Sequence, residues 1–182
     1  MSDDVAVASL GFAPADLALG RWSRMVSMMF VHGGWAHAIM NALAALAFGP
    51  PVARLLGSDL RGAVLFFLFY LVCGVLANLG YSLLHLGSID PVVGASGAVS
   101  GLMGAATRLF GREQGLSPIL SRPVLSLGGG WVAANVVLAL TGASPLMPGA
   151  RIAWEAHIAG LLAGLLLIGP VSRLARKVLA PM

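Results

Sequence analysis

Charge is what this sequence has least of. Of its 182 residues 10% are charged and 58% are hydrophobic, whereas a soluble domain usually carries about 25% charged residues. So little charge cannot clothe a water-facing surface, which excludes an ordinary soluble domain. A disulfide framework is also missing, because the one cysteine, Cys73, lies inside an apolar run. No secretory signal is expected, since Asp3 and Asp4 stand where a basic n-region would be and no compact apolar stretch follows. The 11 Lys and Arg are scattered singly, not gathered with aromatics into a patch. The net charge of +4 therefore argues for positive-inside topology and not for nucleic acid.

Apolar length is what the sequence has in abundance. Mean hydropathy is +0.91, and 24 glycines suit helices packed closely within a bilayer. Crossing the hydrocarbon core takes about 20 mostly apolar helical residues. Five segments meet or approach that length, at about 35–56, 63–86, 93–110, 123–142 and 152–172. The pattern predicts an all-α, polytopic transmembrane bundle forming one domain over 1–182, with 1–34 as an outer-face loop region. Pro50-Pro51 and Gly57-Ser58-Asp59 are expected to break or close the first segment. Arg54, Arg61, Arg108, Arg112, Arg122, Arg173, Arg176 and Lys177 fall on one side, and Arg21, Arg24 and Arg151 on the other. That asymmetry puts the C-terminus in the cytoplasm.

Polar groups inside such segments are costly and mark function. Here they collect near the outer ends. Ser96, in Gly94-Ala95-Ser96-Gly97, opens the third segment, where the first-turn N–H groups are unpaired and can hold an oxyanion. The glycines let another backbone approach. Serine needs a base, and His157, near the outer end of the fifth segment, is the best candidate. Gly160 and Gly164 lie on the side of His157 and can seat that helix against Gly97 and Gly101. His37 and Asn41, four apart, point one way and are both donors for an oxyanion. Taken singly, each residue has a commoner structural explanation: packing for Ser96, hydrogen bonding for the histidines, interhelical bonding for asparagine. Asn78 and Asn135 are read in that structural way. Glu155 points about 200° away from His157 around the helix and is expected to pair with Arg151 or Arg24.

Three ordered blocks carry a resemblance: His32-Gly33-Gly34-Trp35-Ala36-His37-Ala38-Ile39-Met40-Asn41, then Gly94-Ala95-Ser96-Gly97, then Ala156-His157-Ile158-Ala159-Gly160. Across about 11–169 the chain resembles bacterial-type rhomboid intramembrane serine proteases. The resemblance implies a Ser96–His157 dyad without a third acidic member. It further implies an oxyanion site of His37, Asn41 and the Ser96 amide, with His32 hydrogen-bonding in its loop and Gly94, Gly97 and Gly160 in support. It implies single-span membrane proteins as substrates, the lipid bilayer as surroundings, no metal or cofactor, and residence in a bacterial inner membrane. Oligomeric state is not implied.

The chain departs from the family pattern in places. The six-helix core is expected to lack its first helix here, and Ser23 separates Trp22 from Arg24. No glutamate follows the first block near Ala53. Ser100 stands where many members place a tyrosine that stacks on the histidine, so His157 is expected to be held less rigidly. Two rival readings stay open on sequence alone. One is a rhomboid-like pseudoprotease that binds membrane clients without cutting them. The other is a small transporter or channel using His37, Asn41 and His157 as a relay.

Overall fold

A computed structural model describes residues 3–111, 115–142 and 152–179. Seven α-helices follow one another there: α1 Asp3–Leu10, α2 Arg24–Ser27, α3 Trp35–Leu56, α4 Leu60–Leu84, α5 Ser96–Thr107, α6 Gly129–Thr141 and α7 Trp154–Leu179. A π turn, Val124–Gly128, leads into α6, and 3₁₀ turns occupy Pro14–Asp16 and Met28–Phe30. No strand is formed among the described residues; the nearest thing is an isolated antiparallel bridge between Phe12 and Val92. The protein is an all-α, multi-span membrane bundle.

Among the described residues four helices are long and apolar enough to cross a membrane: Trp35–Leu56, Leu60–Leu84, Val124–Thr141 and Trp154–Lys177. Their outward faces carry large apolar side chains such as Leu46, Phe67, Val137, Leu140 and Leu166, as contact with lipid requires. The third predicted segment, about 93–110, behaves differently. At 12 residues, α5 is about 18 Å long, too short for a hydrocarbon core of about 30 Å. It is enclosed instead, with every residue from Ala98 to Thr107 buried, packed against α7, α4 and α3.

Small residues make that enclosure. A methyl group added at Gly160 would run into the Gly97 carbonyl oxygen, one at Gly164 into Gly101 O, and one at Gly104 into Leu161 O. On the opposite side, Gly97 and Gly101 leave room for Ala77 and Cys73 of α4. Backbone thus meets backbone along the α5–α7 seam, which is how helices gain packing energy where lipid removes the hydrophobic drive between them.

The ends of these helices have local causes. Gly34 and Gly57 bound α3 with φ of +139° and +124°, a region that side chains rarely tolerate. Asp59 caps α4 by accepting from Gly62 N–H at 2.9 Å. The Pro50-Pro51 pair, expected to break or close the first segment, sits inside α3. A proline forfeits one intrahelical bond, and transmembrane helices accommodate that within a packed bundle. Beyond α5, Arg108 donates to Ser117 O at 2.9 Å and to Leu165 O at 3.1 Å, tying the following polar linker to α7.

Residues 3–34 hold α1, α2 and the two 3₁₀ turns. Asp16 is their organiser. The carboxylate is 3% exposed, accepts from Ala13 N–H at 2.9 Å, and faces Arg21 and Arg24, each at 3.4 Å. Burial alone would raise its pKa, but the Ala13 N–H and the two guanidiniums outweigh it and hold the carboxyl below its ordinary value. Phe12 exchanges two backbone bonds with Val92, Ala15 N–H donates to Ser88 O, and Gly94 N–H donates to Met28 O at 2.9 Å. The segment therefore grips the loop that delivers Ser96.

Candidate active site

Ser96 is the first residue of α5. The loop before it turns at Gly94, whose φ of +114° and close approach to the His37 ring both exclude a side chain. Held from one side by Phe12 and Met28 and from the other by the start of α5, the Ser96 hydroxyl is aimed at α7. There His157 Nε2 lies 2.8 Å from Ser96 Oγ. The two come from positions 61 apart in the chain, and the glycine seam explains the meeting: any larger residue at Gly160 or Gly164 would separate α7 from α5.

The other imidazole nitrogen is occupied. His157 Nδ1 lies 2.7 Å from Asn135 Oδ1, and Asn135, on α6, is buried. Asn135 Nδ2 donates to Trp131 O at 2.9 Å, while the Trp131 ring lies tilted beside His157, centroids 6.2 Å apart. Asn135 thus joins α6 to α7, the kind of interhelical bond read for it from sequence, and its partner is the candidate base. Ser100, in the place where many rhomboids carry a stacking tyrosine, is buried with its hydroxyl unpartnered, and α6 supplies His157 with a hydrogen bond and a ring. Asn78, by contrast, bonds Met25 O at 2.9 Å and has a packing role.

His37 packs its ring over Gly94, next to Ser96, and its buried Nδ1 has no partner. Asn41 is buried one turn below and donates Nδ2 to the His37 carbonyl at 3.0 Å. His32 does not hydrogen-bond its loop through Nε2, which is buried without a partner. It meets His37 edge-on instead, ring centroids 5.2 Å apart, and burial lowers its pKa, which favours the neutral ring. A cavity of about 20 Å³ adjoins Ser96, lined in part by Met28, Asn78, Gly94 and Ala156, a volume that admits a single water.

Of the two arginines expected to pair with Glu155, only one can be placed. Arg24 is engaged by Asp16, and Arg151 lies outside the described residues. Glu155 itself pairs with His85, at 2.9 Å, whose ring stacks on Tyr81 with centroids 4.3 Å apart. An acid in the first turn of α7 also suits the helix dipole. No group of three His, Cys, Asp or Glu side chains is gathered to hold a metal among the described residues.

A family model, the rhomboid domain, matches residues 19–174. The chain belongs to the rhomboid family. Among curated rhomboids it is 31% identical over 157 residues to Rhomboid protein 1, mitochondrial, of Saccharomyces cerevisiae, covering 84% of this chain and 43% of that protein. It is 31% identical to Rhomboid protease GluP of Bacillus subtilis over 66% of this chain and 23% of that one. Against RHOMBOID-like protein 9, chloroplastic, of Arabidopsis thaliana, identity is 42% over half of this chain and 19% of the relative. The chain thus spans less than half the length of these relatives. Rhomboid membership with protease-named relatives supports, at the level of the family, intramembrane proteolysis.

Proposed function

We propose that this rhomboid is an intramembrane serine endopeptidase that cuts membrane-spanning proteins through a Ser96–His157 dyad. The observation that carries the reading is the 2.8 Å contact between Ser96 Oγ and His157 Nε2 at the start of a buried helix. Ser96 Oγ attacks the scissile carbonyl carbon while His157 takes its proton. The carbonyl oxygen gains the negative charge, within reach of the Ser96 N–H and the His37 ring, with Asn41 behind it. Collapse breaks the C–N bond, and the leaving amine takes the proton from His157. Water then attacks the acyl ester, losing a proton to His157, which returns it to Ser96 as the acid product leaves.

Several features support this assignment. The first-turn amides of α5 are free of intrahelical partners, and the His37 ring turns its Cε1–Nε2 edge to Gly94, two residues before Ser96, so donors stand near where the charge develops. Gly94 lets the His37 ring lie against the backbone that delivers Ser96. Single-span membrane proteins are the substrates, and the cytoplasmic C-terminus and bacterial inner membrane follow from the arginine asymmetry and the bacterial-type motifs.

The test is reaction with an alkyl fluorophosphonate in mild detergent. Wild type is expected to form the Ser96–phosphonate ester with loss of fluoride, and Ser96→Ala and His157→Ala to form none. A folded wild type that resists the reagent would instead be a client-binding pseudoprotease. Flux across liposomes that survives Ser96→Ala would favour a transporter.

A further inference from the structure

The hydrogen bonds around His157 have a forced polarity. The Trp131 carbonyl can only accept, so the Asn135 amide must turn its NH₂ toward it, at 2.9 Å. That leaves Oδ1, which also can only accept, facing His157 Nδ1 at 2.7 Å. Nδ1 must then carry the imidazole proton. A neutral ring protonated at Nδ1 has its lone pair on Nε2, 2.8 Å from Ser96 Oγ, so the serine hydroxyl donates. Read in order, the chain of donors runs from Ser96 through His157 and Asn135 to the backbone of α6, each link leaving the next one arrangement.

We propose that Asn135 is a positioning residue for the reaction: with Trp131 O it fixes His157 in the Nδ1–H tautomer, so that Nε2 is free to take the Ser96 proton. The proposal rests on the Ser96–His157 reading and deepens it. It also accounts for Ser100. An aromatic ring four residues after the serine would hold the histidine by stacking; here that place is a small, buried hydroxyl. Orientation comes from α6 instead, by one hydrogen bond and the tilted Trp131 ring. An amide suits this task in an apolar interior because it orients the ring without burying a charge. Asparagine in place of a carboxylate usually risks the opposite tautomer, since its NH₂ can rotate toward the ring. The Trp131 carbonyl removes that alternative by holding the NH₂ for itself.

The test compares Asn135→Leu and Asn135→Asp with wild type in the full chain, in mild detergent. Three readouts are taken: the rate of fluorophosphonate labelling, kcat and KM on a single-span reporter protein, and the ¹⁵N shifts of the His157 ring, assigned by their loss in His157→Ala. Asn135→Leu is expected to lower the labelling rate and kcat about 10- to 100-fold with KM within about twofold, and to lose the Nδ1–H signature. Asn135→Asp keeps an acceptor opposite Nδ1 and is expected to recover much of the rate and the signature. The inference is overturned if Asn135→Leu keeps wild-type kcat and tautomer, or if both variants lose activity only in step with their melting temperature. The ring shifts report the tautomer without turnover. An Nδ1–H wild type that neither labels nor cleaves would therefore refute the protease reading while sparing the role of Asn135.

Discussion

Ser96 stands between two regions that are built by opposite means. Before it, the outer stretches 11–31 and 88–94 close through directed polar bonds: the Phe12–Val92 exchange, the buried Asp16 with Ala13, Arg21 and Arg24, and Met25 O accepting from Asn78 of α4. After it, α5 is fixed by what its glycines lack. At Gly97, Gly101 and Gly104 the neighbouring helices press so near that no side chain fits. The difference suits the surroundings. Near water, hydrogen bonds and ion pairs select one loop conformation; within the bundle, shape alone must do so. A polar anchor is lost in steps of one bond, whereas a packed backbone seam has no partial form.

The largest effect is expected in the seam. Gly164→Leu places a side chain against the Gly101 carbonyl, with backbone on both sides and nothing flexible to yield. A loss of about 3 kcal/mol or more is expected, read as failure to give a folded peak in detergent or a large drop in melting temperature. A melting temperature within a few degrees of wild type would show that the seam is looser than described.

A smaller effect is expected from Asp16→Ala. Leaving Ala13 N–H and the arginines without their acceptor should cost about 1–3 kcal/mol, confined to the outer region. Helical content by circular dichroism stays the same, protease sensitivity in 1–34 rises, and fluorophosphonate labelling slows several-fold because the loop bearing Ser96 loses its anchor. Unchanged cleavage of that segment would mean that Asp16 organises nothing.

Acid should reproduce this variant. The carboxyl is held below its ordinary value, so its contribution is present above the unfolded carboxylate pKa of about 3.9 and is lost as pH falls through the lower, folded value. Amide exchange in 11–31 should therefore rise at low pH in wild type and converge on Asp16→Ala. Curves that stay parallel throughout would remove Asp16 as the titrating group. The smallest effect belongs to Glu155→Gln, which weakens a pair whose His85 side chain is 33% exposed. Less than about 1 kcal/mol is expected, with labelling within about twofold of wild type. A tenfold fall in labelling would tie Glu155 to the reaction after all.

Much of this was legible in the residue order. The scarcity of charge gives the membrane, and Gly34 and Gly57 give the ends of α3. The spacing of Gly97, Gly101, Gly160 and Gly164 gives the seam that brings Ser96 to His157. What stayed hidden depends on azimuth and enclosure. Hydropathy cannot tell a lipid-facing helix from one surrounded by its neighbours, so α5 reads as a spanning segment although it is short and buried. Asn135 carries a signal, being a polar residue in a chargeless segment, but its direction around α6 is set by the turn before it. His85 and Glu155 meet across 70 positions, a distance at which residue order says nothing of pairing. Pro50-Pro51 reads as a stop because punctuation rules come from helices in water, where unmade backbone bonds are readily replaced.

The π turn at Val124–Gly128 has a consequence for heredity of the site. A π turn holds one residue more than an α turn would, and one residue is worth about 100° of rotation. That extra position is absorbed within the turn, so residues beyond it on α6 keep the phase that a plain α turn one residue shorter would give them. Remove one residue from 124–128, let the turn relax to α, and Asn135 still faces His157; remove one from 129–134, where nothing absorbs it, and its azimuth swings by about 100° while composition and hydropathy barely change. The histidine's support is thus guarded by a count rather than by a residue type: a deletion is tolerated within the π turn and not between it and Asn135.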